Sequence, residues 1–320
     1  MKRKFKSMFI IILLVLVLIF MLSFPDETIN TVLFGVNIWM YNVFPSLFPF
    51  FILSDLLINY GFVELLSEFF KNWVGKLGLS SNASFPIFSS LISGSPNGAR
   101  CTKQLLDEKL INIEEANYLI RFTHSCNPLF VIGTIGSVLL NSQKLGLLIF
   151  LSLILGNLII AVIFKRKSVF YKENISLKKA IIYMHTKRID NKNNFISILS
   201  NSIYNAIDVL ILLLGIIIVF LILSNLIDKI NLNSDVTIII KGLLEMTQGI
   251  KLVSNYDFQL VHKVVFITFF LAFGGFSIHL QVSSIINSTK IKYKNFFISR
   301  ILHSIISSFL VFLLFELLYF

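Results

Sequence analysis

Short polar stretches interrupt a chain that is otherwise mostly leucine, isoleucine and phenylalanine, and their residue types suit anion binding. In "SGSPNGAR", Gly94, Pro96 and Gly98 break the backbone, with Ser95 in the turn itself. Glycine permits conformations closed to other residues, and proline removes a donor and stops a helix. A helix restarting over Asn97–Ala99 would aim free N–H groups and the positive end of its dipole inward, which makes an anion site. Arg100 would add a forked donor suited to carboxylate. The same residues also read as an ordinary inter-helix turn, with Arg100 at a membrane interface.

A second stretch holds Thr123, His124, Ser125, Asn127 and Pro128. A proline in mid-span frees carbonyls that neighbouring side chains must satisfy. Contact with a substrate or a proton is one reading of these groups; a packed, satisfied His124 is the other. Two further stretches, "LLEMTQGI" and "GGFSIHLQ", place Glu245 beside Thr247, Gln248 and Gly249, and Gly274–Gly275 ahead of Ser277, His279 and Gln281. Residues two apart spread over different faces of a helix but alternate on an unwound segment. A small-residue packing face built on Gly-Gly is the competing reading. An intramembrane carboxylate is costly unless it is paired or functional. Glu245 therefore either pairs with a cation such as Arg100 or holds a proton that travels with a substrate.

Other chemistries have no support. There is no nucleophile–base arrangement, zinc spacing, phosphate loop or pair of catalytic carboxylates, so neither an enzyme, nor a metal, nor a cofactor is expected. Cys101 and Cys126 form no CxxC and read as small buried residues. Asp55 and Asp208 lie near span ends, where snorkelling is cheap, Asn157 suits a helix-bridging hydrogen bond, and Glu316 reaches the surface. These four are expected outside any site.

The elements that position these groups follow from composition. Of 320 residues, 56% are hydrophobic and only 14% charged, more apolar surface than a soluble domain can hide. The net charge of +11 is clustered rather than interleaved with aromatics, which excludes nucleic acid as a partner and leaves the lipid bilayer. "MKRKFK" followed by the 18 apolar residues Ser7–Phe24 lacks an A-x-A site and reads as an uncleaved first crossing, N-terminus in the cytoplasm. Further crossings are expected near 29–60, with Pro45 and Pro49 as kinks, and near 118–140, 144–164, 203–225, 261–287 and 296–318. That makes seven, each near the roughly 20 residues a bilayer needs. Segments 83–108 and 236–256 read as re-entrant hairpins.

Residues 165–195 hold nine Lys/Arg against Glu173 and Asp190 and are placed in the cytoplasm by the positive-inside rule. Lys290, Lys292, Lys294 and Arg300 fall on the same side, and the C-terminus falls outside. The order crossing, hairpin, crossing, crossing occurs twice with opposite starting sides. The chain therefore reads as an all-α polytopic membrane protein of two inverted-topology repeats: an anchor (1–28), a first repeat (29–164), a basic cytoplasmic linker (165–202) and a second repeat (203–320). Inverted repeats with broken elements in matching positions are characteristic of secondary transporters, whose site lies between the halves. The basic linker also reads as a docking or anionic-lipid site.

The stretches "ISGSPNGAR", "PLFVIGTIG", "LLEMTQGI" and "GGFSIHLQVSSII…IKYKNFFISRILH" together resemble the YlbJ-type sporulation integral membrane proteins, within the wider family carrying Gate (nucleoside-recognition) domains. The resemblance runs from about residue 30 to 320. It implies two Gate-like halves and the movement of dipicolinate, a small anionic aromatic substrate, from mother cell to forespore across the outer forespore membrane, with other sporulation membrane proteins as partners. It puts motif positions at Gly94, Pro96, Gly98, Ala99, Asn127, Pro128, Glu245, Thr247, Gly249, Gly275, Ser277 and Gln281. The chain departs from the family pattern at Ser95, where an aromatic often stands, and at Asn127, where glycine often stands. A nucleoside or other small solute, or a scaffolding role, are the alternatives.

Overall fold

A computed structural model describes residues 2–167, 176–190, 194–230 and 232–319, and every regular element among them is helical. Parts of the basic linker, 168–175 and 191–193, lie outside the described residues. The chain is a polytopic all-α membrane protein. Among the described residues, four helical segments are long and apolar enough to cross a bilayer, or six if each of two sharply bent helix pairs counts as one span.

Helix α1 (Lys2–Ser23) ends where Pro25 opens α2 (Pro25–Ile38), and the chain bends there by 106°. Proline suits a first helical position because its missing N–H would be unpaired anyway. A π-helical turn, Trp39–Val43, joins α2 to α3 (Phe44–Asn59). Pro49 lies inside α3, so the irregularity expected at the prolines begins just ahead of them. At Gly61 (φ +78°) the chain bends again, by 85°, into α4 (Phe62–Lys76). A Cβ on Gly61 would sit 2.6 Å from the Met184 carbonyl of α9 (Leu177–Asp190), so the corner is closed to side chains. Helix α4 buries Val63, Ser67 and Val74 together with a Glu68–Lys71 ion pair at 2.7 Å.

Two short helices, α5 (Ser84–Ser93) and α6 (Asn97–Asp107), form the first hairpin. The crossing expected over 118–140 is divided. Helix α7 (Ile113–Leu119) stops, residues 123–127 are unwound, and a π-helical segment resumes over Leu129–Leu139. Eleven residues are too few to cross alone, which is why the spans number fewer than the expected seven. Helix α8 (Gln143–Ile163) follows.

The second half opens with α10 (Phe195–Asp228), 34 residues that start inside the stretch assigned to the linker. At about 1.5 Å per residue it is about 50 Å long, well beyond the ~30 Å hydrocarbon core. The hairpin α11 (Ser234–Leu244) and α12 (Met246–Asn255) comes next. Helices α13 (Leu260–Phe273) and α14 (Gly275–Ile286) are separated at Gly274 and Gly275, both with positive φ, and α15 (Tyr293–Tyr319) closes the chain. From the hairpins onward the two halves share one order, hairpin, interrupted helical segment and long helix, whereas ahead of the hairpins the first half has the divided α2, α3 and α4 and the second the single helix α10. Helices α2, α3 and α10 share an apolar core around Phe51, Leu210 and Leu221; two further clusters hold the buried side chains of α4, the hairpins, the interrupted helices, α8 and α15, and Ile58 at the end of α3 packs into one of them.

Candidate functional site

The tip of the first hairpin lies along the unwound 123–127 segment, backbone against backbone. The Ser95 N–H donates to the Ser125 carbonyl at 2.7 Å. A Cβ on Gly94 (φ +82°) would stand 2.6 Å from the Asn127 nitrogen, and one on Gly98 would stand 1.8 Å from the Thr123 oxygen. Neither position has room for a methyl group, so the glycines of this motif hold the approach of two main chains. Asn97 is fully buried, and its amide donates to Ser89 and Ser93 at 2.7 and 2.6 Å.

Unwinding residues 123–127 frees carbonyls inside the bundle, and polar side chains take them up. Asn157 of α8 donates to the His124 carbonyl at 2.6 Å. Arg300 of α15 donates to the Arg121 carbonyl at 2.5 Å and to the Asn157 Oδ1 at 3.2 Å, and reaches the His124 carbonyl at 3.5 Å. Arg300 is 0% exposed and has no carboxylate partner among the described residues. In the sequence it belongs to a basic flank and counts as a topological charge. The structure makes it the anchor of the unwound segment. The distinguishing signal is its place seven residues beyond the start of an apolar helix, ahead of His303, whose Nδ1 lies 2.9 Å from it.

The second hairpin repeats the arrangement with a different cap. Glu245 precedes α12, and its Oε2 accepts from the N–H groups of Thr247 and Gln248 at 2.7 and 3.1 Å and from the Thr247 hydroxyl. The positive end of this helix is therefore occupied by the protein's own carboxylate. A Cβ on Gly275 (φ +67°) would lie 3.0 Å from the Met246 nitrogen, so this tip rests on the α13–α14 break. Gly249 faces Gly242 across the hairpin, where a Cβ would come within 2.3 Å of the Gly242 Cα.

Between the two tips is a cavity of about 290 Å³, near the lower end of the roughly 300–1,000 Å³ of small-molecule sites. Seven of the polar residues singled out in the sequence line it: Ser95, His124, Ser125 and Asn127 from the first half, and Glu245, Thr247 and Gln281 from the second. Asn127 also caps the π-helical segment, its Oδ1 accepting from the Leu129 N–H at 2.8 Å. Apolar walls come from α2, α3 and α10, and two aromatic rings, Phe34 and Phe130, face the space. Sequence reasoning missed these rings and Lys251. Lys251 lies four residues beyond Thr247 on one face of α12.

The other expected site residues are elsewhere. Gly94, Pro96, Asn97, Gly98, Ala99, Gly249 and Gly275 are not on the cavity lining and build the tips instead, and Ser277 is fully buried with an unpartnered hydroxyl. Arg100 faces neither the cavity nor Glu245. Its Nη2 donates to both oxygens of Asp55 at 2.8 Å, its Nη1 reaches the Phe51 carbonyl at 3.3 Å, and the guanidinium lies 4.9 Å over the Phe51 ring. Asp55 is 3% exposed, which overturns the snorkelling expectation for it, and Asn205 of α10 donates to its Oδ2 at 3.4 Å. The forked guanidinium thus satisfies an internal carboxylate, as its geometry allows. His279 is likewise internal, its Nδ1 2.9 Å from the Tyr293 hydroxyl. Among the described residues, no group of three His, Cys, Asp or Glu side chains is placed to hold a metal ion.

Comparison with known proteins adds a family. The Gate family, described as nucleoside recognition, matches residues 40–207. The chain is similar to the sporulation integral membrane protein YlbJ of Bacillus subtilis (strain 168), at 30% identity over 326 aligned residues that span 93% of this chain and 80% of that protein. No solved structure matches it.

Proposed function

From the premise that the chain belongs to the YlbJ-type sporulation integral membrane proteins of the Gate family, we propose that it carries dipicolinate from mother cell to forespore across the outer forespore membrane. The observation that carries this reading is the shared cavity, which receives polar groups from both hairpin tips and both interrupted helices. A flat aromatic acid suits it: Phe34 and Phe130 offer faces for the ring, and Ser95, Ser125, Asn127 and Gln281 offer donors.

Transport proceeds by rocking the hairpins and interrupted helices against the arm formed by α2, α3 and α10. Polar contacts bridge the two bodies at either end of α10: Arg100–Asp55, with Asn205, at one, and Lys241–Asp228 at 2.6 Å at the other. In this reading the protein changes no bond and needs no cofactor. Its N-terminus and basic linker are cytoplasmic, its C-terminus is external, and its halves are inverted.

Spores from a strain lacking the gene, assayed beside mother-cell dipicolinate, test the role. Spores poor in dipicolinate while mother cells still make it are the expected result; normal spore content would overturn the proposal. The Gate description favours a nucleoside as the second candidate. Proteoliposomes given labelled dipicolinate or uridine separate the two, and uptake of neither leaves the scaffolding role.

A further inference from the structure

The face that α12 turns to the cavity bears charge at both ends. At its inner end Glu245 is 3% exposed, with all its capping bonds on Oε2. Oε1 accepts no hydrogen bond among the described residues, although the residue lines the cavity. At the outer end Lys251 is exposed. Its Nζ lies 5.0 Å over the Phe34 ring and meets no carboxylate among the described residues. Six residues at about 1.5 Å each separate the two charges by about 9 Å along the helix. Thr247 and Ile250 fill the face between them. A carboxylate with a free oxygen in an apolar-walled space is costly to keep unless a donor meets it.

We propose that α12 carries a two-ended subsite: Lys251 takes a carboxylate at the mouth, and Glu245 Oε1 takes a hydrogen-bond donor at the inner end. The inference rests on reading the cavity as the substrate site and narrows the substrate class. The ligand is a small flat acid with a carboxylate at one end and an N–H or O–H donor at the other. Two bare carboxylates do not fit, because one would face Glu245. Dipicolinate meets the requirement in its singly protonated form. The Phe34 ring, already under the ammonium, supports the aromatic body of the ligand.

The test is a competition series against labelled dipicolinate uptake in proteoliposomes, using 6-carbamoylpyridine-2-carboxylate, the diamide and unlabelled dipicolinate. The monoamide is expected to compete at least as well as dipicolinate, and the diamide at least about tenfold worse, the usual order for losing a charge-assisted hydrogen bond. Lys251→Met should erase the monoamide's advantage over the diamide, and Lys251→Arg should keep it. Glu245→Gln should erase its advantage over dipicolinate. Lys251 is exposed, so its variants decide the matter even if Glu245→Gln fails to insert. An unchanged order of competitors in Lys251→Met, or a monoamide no better than the diamide, overturns the subsite. The same series is read in parallel as ligand protection against thermal unfolding in detergent. Absent uptake with the expected order of protection would defeat the transport reading alone.

Discussion

The Arg100–Asp55 pair predicts a specific pattern of stability changes. Its side chains are 11% and 5% exposed, and Nη2 sits 2.8 Å from each carboxylate oxygen, so solvent screens little of the interaction. Removing one partner leaves the other charge buried and uncompensated, which costs about 3–5 kcal/mol. Unfolding entropy of about 2.1 cal/mol/K per residue gives about 0.7 kcal/mol/K for a chain of 320 residues. Arg100→Gln and Asp55→Asn should therefore each lower the thermal midpoint by about 4–7 °C, read by differential scanning fluorimetry in detergent. The double variant should recover most of that loss, because replacing a whole buried pair by neutral groups is often close to neutral. Uptake should follow the same pattern. If Arg100→Gln abolished uptake with an unchanged midpoint, while Asp55→Asn did nothing, the guanidinium would be serving the substrate and the pairing argument would be refuted.

Two further outcomes follow from the tips and their supports. Gly98→Ala places a methyl carbon against the Thr123 carbonyl, where no flexible side chain can give way; hairpin and unwound segment should separate, with loss of uptake and a protease-sensitive tip, whereas wild-type uptake by this variant would contradict the contact. Arg300→Leu removes the donors to the Arg121 and His124 carbonyls, each worth about 1–3 kcal/mol when left unsatisfied, so detergent-solubilised protein should lose several degrees in midpoint, and an unchanged midpoint would mean that those carbonyls find other donors.

The breaks were legible in the sequence because their signals are local. Glycine, proline and small polar residues stand out against an apolar background, and they mark the first hairpin tip, the unwound 123–127 segment, the Glu245 cap and the Gly274–Gly275 interruption. Hydropathy located the long helices for the same reason, but it could not see that 118–140 is divided rather than continuous. Partners distant along the chain were not legible. Asp55 meets Arg100 across 45 positions, and Arg300 meets Arg121 across 179. A carboxylate near a span end looks like an interfacial one, and an arginine beside a lysine cluster looks like a topological charge, until the fold shows both to be buried. Lys251 escaped for a related reason, since a single lysine on a short helix gains meaning only from the cavity beside it.

The contacts that set the two tips run mostly through main chain, at Gly94, Gly98, Gly249 and Gly275 and through the hydrogen bond from the Ser95 N–H to the Ser125 carbonyl. Several side chains on the cavity therefore do little to hold its walls in place. Such a site can drift in what it recognises while its scaffold stays put, because exchanging a lining group alters the ligand's surroundings without moving a helix. Ser95, whose main chain rather than its side chain binds the unwound segment, is on the lining. On the transport reading proposed above, a lineage built this way would inherit one architecture and pass it among different solutes, changing cargo by a few substitutions at the tips.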